Sequence, residues 1–205
     1  RAHLFERNVF PRSTILVTKF VKGGSRFKGG VSSWTQIERD LRRLLGDSAA
    51  TGLTTLLDYY GLPDDAPGMA DRPRATPRVR VEHVERAMAA RIDDRRFRAH
   101  LMLHEFEALI FTDIGKWEAR FDAAAIADLK AEVADLRPEE INESPSGAPS
   151  RRIVQHLHEY SKPLHGPLAA GEIGLGAIRA ACPHFGAWLD WAEGLGGASG
   201  ACGDP

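Results

Sequence analysis

Three carboxylates follow short apolar runs of this chain, and their type and spacing could support metal chemistry. Asp58 closes Leu53-Thr54-Thr55-Leu56-Leu57, while Glu105 and Glu107 come within one turn of a run ending at Leu103. In an open parallel sheet, ligands collect beyond the carboxyl ends of the strands. A carboxylate there is costly to desolvate unless it is paired, hydrogen-bonded or bound to a cation. Hard oxygens on neighbouring strand ends suit Mg²⁺ (or Mn²⁺), which binds through a few carboxylates plus water and substrate phosphate. Such an ion polarises a phosphoryl oxygen and activates water. If the backbone stays extended after His104, both glutamates point to one face. If a helix has begun they diverge, and only one can join Asp58. The alternative is that Asp58 caps a turn at Tyr59-Tyr60-Gly61 while the glutamates are solvated or salt-bridged.

Two cationic stretches could serve an anionic substrate. Ala148-Pro149-Ser150-Arg151-Arg152 reads as a helix start. Cations in a first turn gain nothing from the helix dipole, so they make sense if an anion also sits there, on free N–H groups, Ser150 and a guanidinium. Lys162 could add a further charge. Pairing with Glu139, Glu140 or Glu143 is an equally good account of the arginines. The loop Lys22-Gly23-Gly24-Ser25-Arg26-Phe27-Lys28 could touch a nucleic-acid backbone through Lys22, Arg26 and Lys28. A solvated connection is the plainer reading of that loop.

Several patterns are decoys. Gly174-Leu175-Gly176 lacks the preceding strand of a dinucleotide fingerprint, and Gly24 to Gly29 lacks the lysine of a phosphate loop. His104-Glu105 lacks a second histidine at 108, and His156 and His158 are two apart, a poor spacing for one helix face. Cys182 before Pro183 has no base beside it and reads as buried.

The elements that must position these residues follow from periodicity. Ser13 to Phe20 is β-branched and reads as a strand. Ser33 opens a helix through a capping box with Gln36, its stripe running Trp34, Ile37, Leu41, Leu44 and Leu45. Leu53 to Asp58 reads as a buried strand, 61 to 78 as a proline-rich loop, and Val81, Val84, Met88 and Ile92 as one helix face. Phe97 to Leu103 alternates as a third strand. The order β-α-β-α-β argues for a mostly parallel sheet layered with helices. Helices are expected at 105 to 113, 123 to 136, 150 to 158, 174 to 181 and 185 to 193. The whole reads as one α/β domain over 1 to 193, with a sheet-forming half to 104, a mainly helical half from 105, and a flexible Gly-rich tail from 194 to 205.

The 205 residues suffice for one sizeable core. A formal net charge of -1 gives no global case for nucleic-acid or membrane binding, so any basic surface must be local. No apolar run approaches the roughly 18 residues of a membrane span. Two cysteines make no disulfide framework, which points to a reducing, cytoplasmic setting. The chain lacks an initiator Met, and Leu4-Phe5 reads like the last turn of a helix, so upstream sequence is expected to be missing.

Together several stretches resemble a bacterial family catalogued as domain of unknown function 4276. They are Thr55-Leu56-Leu57-Asp58-Tyr59-Tyr60-Gly61-Leu62-Pro63, Leu103-His104-Glu105-Phe106-Glu107-Ala108-Leu109, Pro138-Glu139-Glu140-Ile141-Asn142, Ala148-Pro149-Ser150-Arg151-Arg152-Ile153, Ile173-Gly174-Leu175 and Cys182-Pro183-His184-Phe185. That family is similar to Toprim-type domains, the Mg²⁺-dependent fold of topoisomerases, primases and old-type nucleases, and its members tend to accompany ATPases in loci of phage-defence type. The resemblance implies a Toprim-like α/β fold, Asp58 as strand-end metal ligand, Glu105 or Glu107 as further acids, and an ATPase partner. Two positions depart from the pattern. A Val-Glu-Gly strand that usually opens the family would lie upstream of this chain, and a Toprim Asp-x-Asp would place Asp where Tyr60 stands. A non-catalytic partner or sensor module of an ATPase, and a small-molecule phosphohydrolase, are the competing expectations.

Overall fold

The computed structural model describes residues 2–15, 33–141 and 147–197. The expected loop cations Lys22, Arg26 and Lys28, and most of the expected strand Ser13 to Phe20, lie outside the described residues. The chain divides into two compact units, Arg1–Leu101 with Trp188–Pro205, and Met102–Ala187.

In the first unit a short helix α1 (Ala2–Glu6) precedes α2 (Trp34–Leu45), which buries Trp34, Ile37, Leu41 and Leu45. Ser33 stands at its N-cap position without a side-chain capping bond, so the apolar stripe rather than the cap holds this helix. Helix α3 (Pro77–Ile92) begins with a proline in its first turn, where the missing N–H is harmless. It buries the expected face of Val81, Val84, Met88 and Ile92. Each such side chain contributes about 1.5–3 kcal/mol by leaving water.

The sheet is smaller than the periodicity predicts. Leu53 to Asp58 splits into β1 (Leu53–Thr54) and β2 (Leu57–Asp58), and Phe97 to Leu103 into β3 (Phe97–Arg98) and β4 (Leu101–Met102). Strands β1 and β3 pair in parallel, Leu53 opposite Phe97 and Thr54 opposite Arg98, as a crossover carrying α3 requires. A second two-stranded sheet has the order β2-β4. Thr55 explains the interruption. Its hydroxyl accepts from the His100 N–H and donates to the His100 carbonyl, each at 2.9 Å. A side chain thus takes the place of a ladder rung. The protein is mixed α/β, with helices far outweighing strands.

The second unit is helical. It comprises α4 (Glu107–Ile110), a 3-10 segment (Phe111–Trp117), α5 (Ala123–Glu132), a 3-10 turn (Pro138–Glu140), α6 (Pro149–His156), α7 (Lys162–Ile173) and α8 (Leu175–Ala181). Helix α9 (Pro183–Gly197) starts here and runs past the division at Trp188 into residues of the first unit, reaching beyond the expected end at 193. Asp122 caps α5 by accepting the Ala125 N–H at 3.0 Å. Helix α7 is absent from the sequence expectation, because Pro163, Gly166, Pro167 and Gly171 all argue against a helix. Pro163 sits in its first turn and Pro167 lies inside it. Gly166 lets this helix pack closely, since a Cβ there would come within 3.3 Å of the Tyr160 hydroxyl and 3.5 Å of the Phe106 ring.

Candidate functional site

Four of the predicted site residues meet in the second unit. Glu105 and Phe106 lead into α4, which packs against α6 and α7. The Glu105 carboxylate accepts the backbone N–H of Ser150, in the first turn of α6, at 2.9 Å. The anion that the helix start was expected to hold is therefore supplied by this chain's own Glu105. Helix N-termini favour such a partner, because their free N–H groups and dipole both face it. Arg152 turns elsewhere, donating to the Gly147 carbonyl at 2.8 Å and pairing with Glu132, which also meets His156. Arg151 is exposed.

Glu107, the first residue of α4, has 0% of its side chain exposed. Its ion-pair partner is Lys162 at the start of α7, whose ammonium lies 2.7 Å from Oε2 and whose side chain is 49% exposed. Among the described contacts Lys162 is the group that answers this buried carboxylate. Burial pushes the Glu107 carboxyl above its ordinary range; Lys162 opposes that rise and the charge of Glu105 adds to it. The phenol of Tyr160 is buried beside these acids. Loss of solvent, then the charges of Glu107 and Glu105, drive its pKa well above normal. Its hydroxyl has no hydrogen-bond partner, nor does the indole N–H of Trp117, whose ring stacks on Tyr160 at 5.9 Å and 5°. His165 completes the lining by accepting the Ser161 N–H at 2.8 Å.

In charge terms Glu105, Glu107 and Lys162 carry two negative charges and one positive when ionised. Such a trio favours a further cation over a phosphate. The donor types suit a hard divalent ion: carboxylate oxygens of Glu105 and Glu107, with the Tyr160 phenol within range of both charges. Lys162 was expected on phosphate, and the structure places it on Glu107. Tyr160 and Trp117 were missed as site residues. The one signal for them was Tyr160 two positions before Lys162.

Asp58 ends β2 in the first unit, partly buried, and stands at the N-cap position of the 3-10 turn Tyr59–Gly61 without a side-chain capping bond. The first unit also holds Glu85, which accepts the Leu101 N–H at 2.8 Å, with Nδ1 of the buried His100 at 3.6 Å. Trp188 stacks on that imidazole at 5.2 Å and donates its indole N–H to Thr54 at 3.0 Å. Among the decoys, Gly174 separates α7 from α8 at φ 86° with no strand before it. Cys182 is fully buried against Thr112, and burial pushes its thiol up to about 12.

Fold and site thus define a helix-rich α/β protein whose second unit encloses an acidic pair countered by one lysine. The chain belongs to the family described as Domain of unknown function (DUF4276), whose model matches residues 1–193. Neither a curated protein nor a solved structure matches it. No helix among the described residues is long and apolar enough to cross a membrane.

Proposed function

We propose that this protein is a Toprim-like, Mg²⁺-dependent phosphodiesterase of the nuclease class, working in the cytoplasm beside an ATPase subunit in a phage-defence system. The observation that carries the reading is the buried Glu107 carboxylate with Glu105 close enough to perturb it. Strongly desolvated acids with a charged partner cluster at functional sites. Glu105 and Glu107 hold the ion (Mg²⁺ or Mn²⁺), and Asp58 closing β2 is the acid that the family resemblance singles out. When bound, the ion polarises a phosphoryl oxygen and lowers the pKa of water. The chain's own share is to exclude solvent around Glu107, fix Glu105 through the Ser150 N–H, and offer the exposed Arg151 toward a phosphate.

Incubation of the protein with plasmid DNA and Mg²⁺ or Mn²⁺, beside Asp58→Ala and Glu105→Gln, tests this. Cleavage by the parent and its loss in Glu105→Gln is expected. Turnover of a generic phosphodiester without DNA cutting would redirect the reading to a small-molecule phosphohydrolase. A partner or sensor module of an ATPase is the second reading, favoured by Leu164 and Leu168, one turn apart on α7 and 57% and 41% exposed. An inert parent that forms a stable ATPase complex, weakened by Leu164→Glu, would replace the enzyme with that module.

A further inference from the structure

Lys162 does more at this site than neutralise a charge. It is anchored in the first turn of α7, with Pro163 directly after it, and its ammonium reaches a carboxylate that no solvent touches. Yet half of the lysine side chain is exposed, so the stem runs from the surface inward and can withdraw by rotation about its own bonds. Glu107 is more constrained. It sits in α4 with α6 and α7 packed on it, and it cannot follow Lys162 outward. Beside it stands the Tyr160 hydroxyl, more than nine-tenths buried and without a hydrogen-bond partner. A buried phenol oxygen left unpartnered, within range of the charges of two carboxylates, suits a ligand that accepts oxygen donors. An anion does not fit that description, because the trio already carries excess negative charge. A small cation does.

The geometry points to Lys162 as the resident counter-cation of a divalent-metal site formed by Glu105, Glu107 and the Tyr160 hydroxyl, so that a metal ion enters only by displacing the lysine. This rests on the metal-dependent reading above and adds to it a built-in competitor that sets the site's affinity. Two cations cannot share Glu107 without repelling one another. The ammonium, once displaced, stands at the mouth of the site with its stem already in solvent. There it can meet a phosphate oxygen, which reconciles its place on Glu107 with a role toward substrate.

The test is metal binding rather than turnover. Mn²⁺ affinity is measured by electron paramagnetic resonance of the free ion for the parent, Lys162→Met and Glu105→Gln, with circular dichroism to verify folding. Lys162→Met is expected to bind Mn²⁺ about tenfold more tightly or better, and Glu105→Gln to lose binding. A second measurement needs no variant. Acetylation of the parent, read residue by residue by mass spectrometry, should show Lys162 reacting faster with Mn²⁺ present while Lys116 does not change. If Glu105→Gln abolishes Mn²⁺ binding but Lys162→Met binds no tighter, and Lys162 acetylation ignores Mn²⁺, the metal site stands and the displacement is wrong. If no form binds Mn²⁺, the displacement falls together with the metal-dependent reading.

Discussion

Polar side chains do different work in the two units. In the first, several close the backbone. Thr55 satisfies both the N–H and the carbonyl of His100. Glu85 takes the Leu101 N–H. Arg96 gathers the carbonyls of Leu45 and Asp47 while its guanidinium holds the Asp94 carboxyl down at about 2. In the second unit, the Glu107 carboxylate is buried with one half-exposed lysine as its partner, and the Tyr160 hydroxyl and the Trp117 indole N–H are buried without hydrogen bonds. Folding alone gives no reason for that cost, since an unpaired buried polar group is unfavourable by about 1–3 kcal/mol. Glu139 shows that the second unit can do otherwise. Its two oxygens take the N–H groups of His184 and Phe185, at 3.0 and 2.9 Å, and so cap α9. Within the second unit, then, Glu139 is fully hydrogen-bonded while the Tyr160 hydroxyl and the Trp117 indole N–H are not.

That contrast can be broken by substitution, and the largest effect is expected in the first unit. Thr55→Val keeps the shape and removes the hydroxyl, leaving the His100 N–H and carbonyl buried without their partner. A loss of about 2–4 kcal/mol in unfolding free energy is expected from two unsatisfied groups, read from urea denaturation. A loss under half a kilocalorie would mean that backbone closure is not what this hydroxyl does, and the contrast between units would lapse.

Periodicity made the helical faces legible because burial of a stripe needs only spacing: the α3 residues Val81, Val84, Met88 and Ile92 are buried as their spacing predicts. The strand runs 53 to 58 and 97 to 103 were legible as strands but not as broken ones. Nothing in Thr55 announces that its hydroxyl will bond the main chain of a residue 45 positions away. Helix α7 was hidden by its prolines and glycines, which tertiary packing overrides, Gly166 lying close to Tyr160 and Phe106. At the site, Glu105, Glu107, Ser150 and Lys162 were each legible as candidates. That Glu105 would satisfy the α6 start, and Lys162 the Glu107 carboxylate, follows from helix packing that spacing does not contain.

Next in size is an effect whose sign changes. Burial raises the folded-state pKa of Glu107, so between the ordinary carboxylate range and that raised value the folded protein holds a proton that the unfolded chain has lost. Stability owed to this group is present at low pH and falls as pH rises through the window. Glu107→Gln, which cannot ionise, is expected to gain stability relative to the parent as pH rises through that window. Melting temperatures from pH 4 upward check it. A gap that narrows with rising pH would show the Lys162 pair to outweigh desolvation. Chemically, Cys182 should stay silent toward a thiol reagent at pH 8 in the native protein and react on unfolding, since burial holds its thiol up at about 12. Peptide mass spectrometry after labelling distinguishes it from Cys202.

The smallest effect sharpens the contrast most. Tyr160→Phe removes one oxygen and leaves the ring stacked on Trp117. Were that hydroxyl structural, as Thr55 is, its loss would cost about 1 kcal/mol or more. Because it is buried without a hydrogen bond beside two carboxylates, the variant is expected to be unchanged or up to about 1 kcal/mol more stable. Chemical denaturation at neutral pH decides between these signs. A clear destabilisation would mean that the hydroxyl has a structural role in the folded protein, and the second unit would then satisfy its polar core as the first does.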